Sequence, residues 1–131
     1  HKHLPEMKVI CGLMYEPCFS PIVADFYSGM TVTVPLFTRL LSKKVTPHNV
    51  FEILAEHYAG QKLIRVTEGS ETMLGSNSFS GRDSMEISVY GNDERIIVAS
   101  QFDNLGKGAS GAAVQCFNII TGKNETEGLV Q

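Results

Sequence analysis

No run of about 18 apolar residues occurs anywhere in the chain, so the sequence offers no membrane-spanning helix. Positive charge is not in excess either. Eleven lysines and arginines stand against 14 aspartates and glutamates, a formal net charge of −3, which leaves no basic stripe for a nucleic-acid backbone. Cysteine is scarce: Cys11, Cys18 and Cys116 are odd in number, lack CxxC spacing and sit in or beside apolar segments. That pattern argues against a disulfide scaffold and for a reducing, cytoplasmic compartment. No signal or transit pattern opens the chain, and "HKHLPEM" begins without an initiator Met. The expectation is a segment cut from a longer protein, a residual affinity tag being the plain alternative.

What is present is the composition of a globular domain. At 131 residues, 43% hydrophobic and 19% charged, the chain is one domain able to bury a core without staples. Residues 7–14 are apolar and partly β-branched ahead of two prolines, which predicts a strand and then a turn. Residues 29–37 alternate Met30, Val32, Val34 and Leu36 with Thr31, Thr33 and Pro35, the pattern of a half-buried strand, with Pro35 near an edge or the strand end. Thr46 is a good helix cap ahead of Pro47, and Val50, Phe51, Leu54 and Tyr58 recur at helical spacing up to Gly60. Residues 62–68 read as a short strand and 69–83 as a polar loop. "SMEISVY" and "RIIVASQF", joined by "GNDE", read as a hairpin. From Gly108 to Gly122 the positions Ala109, Ala112, Ala113, Cys116, Phe117 and Ile120 mark a helix with one apolar face, and the tail after it is expected to be poorly ordered. The predicted class is α+β, a mostly antiparallel mixed sheet with helices packed on one face.

Four stretches could carry chemistry. In "DNLGKGASG" the glycines at a helix start let the backbone approach a ligand, and the free N–H groups and Lys107 favour an anion; tight packing of small residues against a neighbouring domain is the plain alternative. His1 and His3, two apart, would point to one side of an extended segment, as acid/base groups or as surface residues. A metal site would need a third ligand, and only Glu6 is near, so none is expected. Arg82 and Asn77 lie in the polar loop, where a guanidinium could fork a carboxylate or phosphate and an amide could bond a substrate, or a local ion pair could simply face water. Cys18 has no visible neighbour to lower its pKa and reads as a buried, inert cysteine; Cys116 reads as core or interface. Asn124-Glu125-Thr126 matches a glycosylation sequon by chance in a cytoplasmic chain.

"HKHLPEM", "FSPIVADFYSGM", "VTVPL" and above all "FDNLGKGASGAAVQCFNIITGKNETEGL" resemble N-acetyl-gamma-glutamyl-phosphate reductase over nearly the whole chain. The resemblance implies the later part of that enzyme: a single substrate and dimerisation domain, residues 1–131, with a glyceraldehyde-3-phosphate dehydrogenase-like C-terminal fold. It implies a helix over 106–122 that packs on an NADP-binding Rossmann domain. It implies reduction of an acyl phosphate through a cysteine thioester, with His3 or His1 as acid/base. Glu6, Arg82 and Asn77 would bind substrate, and Asn104, Lys107 and Gly108 would line the NADP cleft. The expected partners are the acyl phosphate, the Rossmann domain and a second copy of the chain. The sequence departs from the family in having no GxGxxG after a strand, and "PCFSP" is not the nucleophile motif. An aspartate-semialdehyde dehydrogenase-like domain and a noncatalytic module that binds an anion or a partner are the competing expectations.

Overall fold

The computed structural model describes residues 2–131; His1 lies outside them. Helix α1 (His3–Ile10) is followed by an extended segment, then strand β1 (Met30–Phe37) and helix α2 (Pro47–His57). Strands β2 (Ile64–Glu68), β3 (Met85–Gly91) and β4 (Arg95–Phe102) come next, and helix α3 (Gly111–Ile120) closes the set. The four strands form one sheet in the order β1-β4-β3-β2. β4 pairs antiparallel with both β1 and β3, while β2 runs parallel to β3. This is the α+β, mostly antiparallel mixed sheet that the sequence predicts.

Local chemistry explains most boundaries. The Thr46 hydroxyl accepts from the Asn49 amide at 3.2 Å and the Asn49 side chain accepts from the Thr46 amide at 3.1 Å, a reciprocal cap with Pro47 in the first turn of α2. Thr46→Ala is therefore expected to cost about 1 kcal/mol, measurable as a lower denaturant midpoint with an unchanged slope. The hairpin between β3 and β4 turns on Asn92, whose Oδ1 accepts from the amides of Glu94 and Arg95, both at 3.0 Å. β1 is an edge strand, which is where Pro35 can sit without leaving a gap in the ladder.

Two elements differ from the sequence reading. Residues 3–10 are helical rather than a strand over 7–14. Gly12, with φ +62°, ends α1: its amide bonds the Val9 carbonyl and that of Leu13 bonds the Lys8 carbonyl. That pairing is a glycine-dependent helix stop, and it outweighs the weak strand bias of Val9 and Ile10. The tail is also ordered. The Asp83 amide donates to the Val130 carbonyl at 2.6 Å, the Val130 amide returns a bond to Asp83 Oδ2 at 2.9 Å, and the buried Asn118 amide donates to the carbonyls of Glu125 and Glu127.

The core is small: Leu63, Ile87, Val89, Ile96 and Ala99. α2 packs against β2 and β3, so the apolar face of the sheet is covered at that end. At the β1 end it is open, and Met30, Val32 and Val34, the row expected to form the buried face of a half-buried strand, are 40%, 42% and 50% exposed. By register the opposite face carries Thr31, Thr33 and Pro35, Ile97, Ala99 and Gln101, Glu86, Ser88 and Tyr90, and Arg65 and Thr67, so it is small and polar at one end and carries Pro35, Ile97 and Tyr90 at the other. Among the described residues no helix is long and apolar enough to cross a membrane.

Candidate functional site

The end of β4 delivers the chain to Asp103, which is 3% exposed, and three separate segments converge on its carboxylate. Oδ2 accepts from the Ser28 hydroxyl at 2.8 Å and the Gly81 amide at 2.5 Å. Oδ1 accepts from the amides of Leu105 at 2.7 Å and Gly106 at 2.9 Å. The Gly81 bond above all, and then those of Gly106, Ser28 and Leu105, outweigh burial and hold the Asp103 carboxyl down at about 2 against an ordinary 3.8. Next to it Asn104 Oδ1 accepts from the Gly29 amide at 2.8 Å, and the Ser28 and Ser80 hydroxyls meet at 2.6 Å. Loop 76–82, the entry to β1 and the turn after β4 are thereby fixed to one another.

The small residues of the turn allow this approach. Asp103 begins a wide turn in which the Gly108 amide bonds the Asp103 carbonyl and the Ser110 amide bonds the Leu105 carbonyl, each five residues back. Such wide turns at a helix start are uncommon. A Cβ on Gly106 would lie 2.5 Å from the Arg82 carbonyl oxygen, and one on Gly111 would run into the Asp83 carboxylate. Gly29 (φ +118°) could carry no side chain without meeting Asn77 Cα at 2.5 Å. The glycines are thus explained by protein packing on protein. This is the packing alternative of the sequence reading, and the amides of Leu105, Gly106, Gly108 and Ser110 are already spent, two of them on the protein's own carboxylate.

α3 then continues with its faces reversed relative to a core helix. Gly111 and Asn118 are buried and Gln115 is half-buried, whereas Cys116, Phe117, Ile119 and Ile120 face outward, Ile120 at 83% exposure. The inward row is polar and joined to its surroundings: Lys107 Nζ donates to Gln115 Oε1 at 2.7 Å, and Gln115 Nε2 donates to Glu125 Oε2 at 3.2 Å. Cys116 is exposed, so the core half of its expectation fails. Cys18 is exposed as well, not buried as expected, because the segment that carries it has no part of the fold packed over it.

The predicted site residues fall into two groups. Asn104, Lys107 and Gly108 lie in the turn that Asp103 begins, and the backbones of Arg82 and Asn77 approach Gly106 and Gly29 beside it, while the Lys107 side chain goes to Gln115 of α3. Arg82 lies with its guanidinium 5.5 Å above the Phe79 ring. Among the described residues it has no carboxylate partner, and Asp83 binds the tail instead of forming the local ion pair considered for it. His3 and Glu6 are elsewhere, on α1. With Met7 and Ile10 they follow i, i+3, i+4, i+7 spacing, and these four with Cys11 line a shallow groove. His3 is therefore not in an extended segment, and its natural companion is Glu6. The expectation for His1 lies outside the described residues. No residue of the Asp103 constellation lines the α1 groove.

Sequence reasoning passed over two features. One is the role of Asp103: the resemblance puts the segment from Asp103 to Gly108 at the cofactor cleft, but that Asp103 organises the site leaves no sequence periodicity, because it is buried at the end of a strand. His48 lies at the second cleft, lined with Thr46, Pro47, Glu68, Gly69, Val89, Tyr90, Gly91 and Asp93. Its Nδ1 contacts Glu68 at the end of β2 in a short hydrogen bond, and its Nε2 is 3.4 Å from Glu52 one turn along α2. The HxxxE spacing of His48 and Glu52 was the available signal.

Residues 1–104 match the family described as semialdehyde dehydrogenase, dimerisation domain. A protein of Burkholderia ambifaria named N-acetyl-gamma-glutamyl-phosphate reductase is 39% identical over 128 residues, 93% of this chain and 41% of that protein. Proteins of the same name from Brucella ovis and Brucella canis are each 40% identical over 129 residues, 94% of this chain and 42% of theirs. The chain spans about two fifths of the length of the curated relatives it matches.

Proposed function

Because the chain belongs to the semialdehyde dehydrogenase dimerisation-domain family, we propose that it serves as the substrate-binding and dimerisation part of an NADP-dependent reductase. That enzyme converts N-acetyl-glutamyl 5-phosphate to N-acetyl-glutamate 5-semialdehyde and phosphate, a step of arginine biosynthesis in the cytoplasm. The observation that carries the reading is the extent of the match, which runs across nearly the whole chain to reductases of that one name.

In this reading the acyl group is held as a thioester on a cysteine outside the residues of this chain. NADPH supplies hydride. His3, at the exposed start of α1, transfers the proton that the departing oxygen or thiolate requires, with Glu6 beside it on the same helix face. Arg82, which has no carboxylate partner among the described residues, binds the anionic end of the substrate through its guanidinium, and Asn77 contributes an amide. The residues around Asp103 fit one flank of the cofactor and not its pyrophosphate, since the backbone donors of the turn are already used. Asn104 Nδ2 and the donors that Lys107 Nζ keeps beyond its bond to Gln115 are the groups left to face it, and Gly108, whose amide is spent on Asp103, offers only its exposed, side-chain-free surface.

Two surfaces remain for partners. The apolar outward face of α3 suits the NADP-binding part of the enzyme, and the uncovered half of the sheet around β1 suits a second copy. The isolated chain is accordingly inactive. The test is a chimera in which this chain replaces the matching two fifths of the Burkholderia ambifaria relative. It is expected to form the semialdehyde from N-acetyl-glutamyl phosphate and NADPH. A folded, dimeric chimera that reduces aspartyl phosphate instead would assign the chain to the aspartate-semialdehyde branch, and one that reduces neither would leave it a binding module.

A further inference from the structure

His48 stands apart from everything assigned above, and its surroundings are unusual for an exposed histidine. It lies in the first turn of α2, with both ring nitrogens directed at carboxylates on different elements: Nδ1 at Glu68, the last residue of β2, and Nε2 at Glu52 of α2 itself. A neutral imidazole has one N–H and can donate to only one of them. The second carboxylate is then held against a lone pair, which repels it. The arrangement is satisfied only when both nitrogens carry protons.

We propose that His48 is a protonation-gated latch that fastens the start of α2 to the end of β2 at the edge of the cleft between them. The groups that face it are few. Glu52 comes from α2, Glu68 from β2, Tyr90 from β3, and Asp93 from the turn beyond β3, the last three lining the same cleft. The one cation on β2, Arg65, lies on the opposite face of the sheet, 3.6 Å from Glu86, and does not compete. The two charges in contact with the imidazole are both negative. They favour the imidazolium, the hydrogen bond to Glu68 most and the field of Glu52 next, and raise the pKa above the ordinary 6.5.

A raised folded pKa fixes the sign of the effect. The latch contributes fully below 6.5 and is lost as pH rises through the folded value, when the proton leaves to solvent and Glu68 or Glu52 must move off. Because α2 is the helix that covers β2 and β3, release at its first turn widens the cleft walled by Thr46, Pro47, Gly69 and Tyr90. The latch thus couples cleft width to protonation near neutral pH.

The experiment is an NMR titration of the whole chain that follows the His48 ring and the backbone amides of Thr46, Glu68 and Gly69. His48 is expected to titrate above 6.5, the three amides to shift with the same midpoint, and Glu68→Gln to lower that midpoint. Glu52→Gln, which keeps the β2 contact, is expected to lower it less. All three side chains are more than half exposed, so these variants remain folded. A His48 midpoint at or below 6.5, one unmoved by Glu68→Gln, or amides at the end of β2 that do not follow the ring would each overturn the latch.

Discussion

Asp103→Ala is expected to destabilise the fold by about 3 kcal/mol, read as a fall in the urea midpoint. Alanine leaves the Ser28 hydroxyl and the amides of Gly81, Leu105 and Gly106 without their acceptor. A buried donor left unpaired costs about 1–3 kcal/mol, and less where water can replace the lost partner. Gly81 and Leu105 are exposed residues, so two of the four penalties are partly relieved by solvent. A domain of this size is stable by about 5–15 kcal/mol, so the loss is a large part of the total. Asp103→Asn separates charge from shape. Its single carbonyl oxygen keeps one pair of donors and turns an NH2 toward the other, for an expected loss of about 2 kcal/mol. The pH dependence is a second readout. A carboxyl held at about 2 in the folded chain and 3.8 when unfolded contributes its full stability above 3.8 and loses it as pH falls toward 2. The shift corresponds to about 1–2 kcal/mol once discounted for the water close to Gly81. Asp103→Asn should flatten that acid limb. Identical acid limbs in the two proteins would mean that the carboxylate is not the joint between the three loops.

Much of the fold was legible because its signals are local. Thr46 and Pro47 announce α2, Gly122 ends α3, and the alternation on either side of "GNDE" gives the hairpin, each through contacts within a few residues. Failures occurred where the deciding contact is distant or the pattern is ambiguous. The run at 7–14 is too short for its period to separate strand from helix, and Gly12, the stop that decides it, was not weighed. For β1 the alternation was read correctly, yet its apolar face stays open because α2 reaches only β2 and β3. Alternation shows which residues share a face, never what covers that face. α3 is the sharper case. Its apolar row faces out and its Gly111, Gln115 and Asn118 row faces in, because the tail satisfies those polar groups, and the tail was expected to be unordered. Asn77 and Arg82 were singled out by their place in a polar loop and residues 104–108 by the family resemblance, while what joins these segments, a buried Asp103 with four donors, rests on partners up to 75 residues away. Its buried partners carry no periodic mark in the sequence.

His3→Gln, placed in the chimera with the Burkholderia ambifaria relative, is expected to cost the reaction far more than the fold. A positioned acid/base group contributes about 10²–10⁴ in rate, so kcat should fall by that factor while KM for the acyl phosphate changes little. The structure explains why the fold should be spared. His3 is exposed at the first position of α1, and the helix is closed at its other end by Gly12, so glutamine alters the helix by only a few tenths of a kcal/mol, about the propensity difference. The HxH spacing leaves a rival in His1, and α1 bears on the choice. His3 shares a helix face with Glu6, and a carboxylate one turn away can orient an imidazole. Glu6→Gln should therefore reproduce part of the His3→Gln loss in kcat, whereas His1→Gln should leave kcat unchanged. A full loss from His1→Gln with His3→Gln silent would reverse the assignment. If both substitutions left kcat unchanged, the proton would have to come from a group outside α1, and the Asp103 constellation, with Lys107 held by Gln115, would be the next place to look.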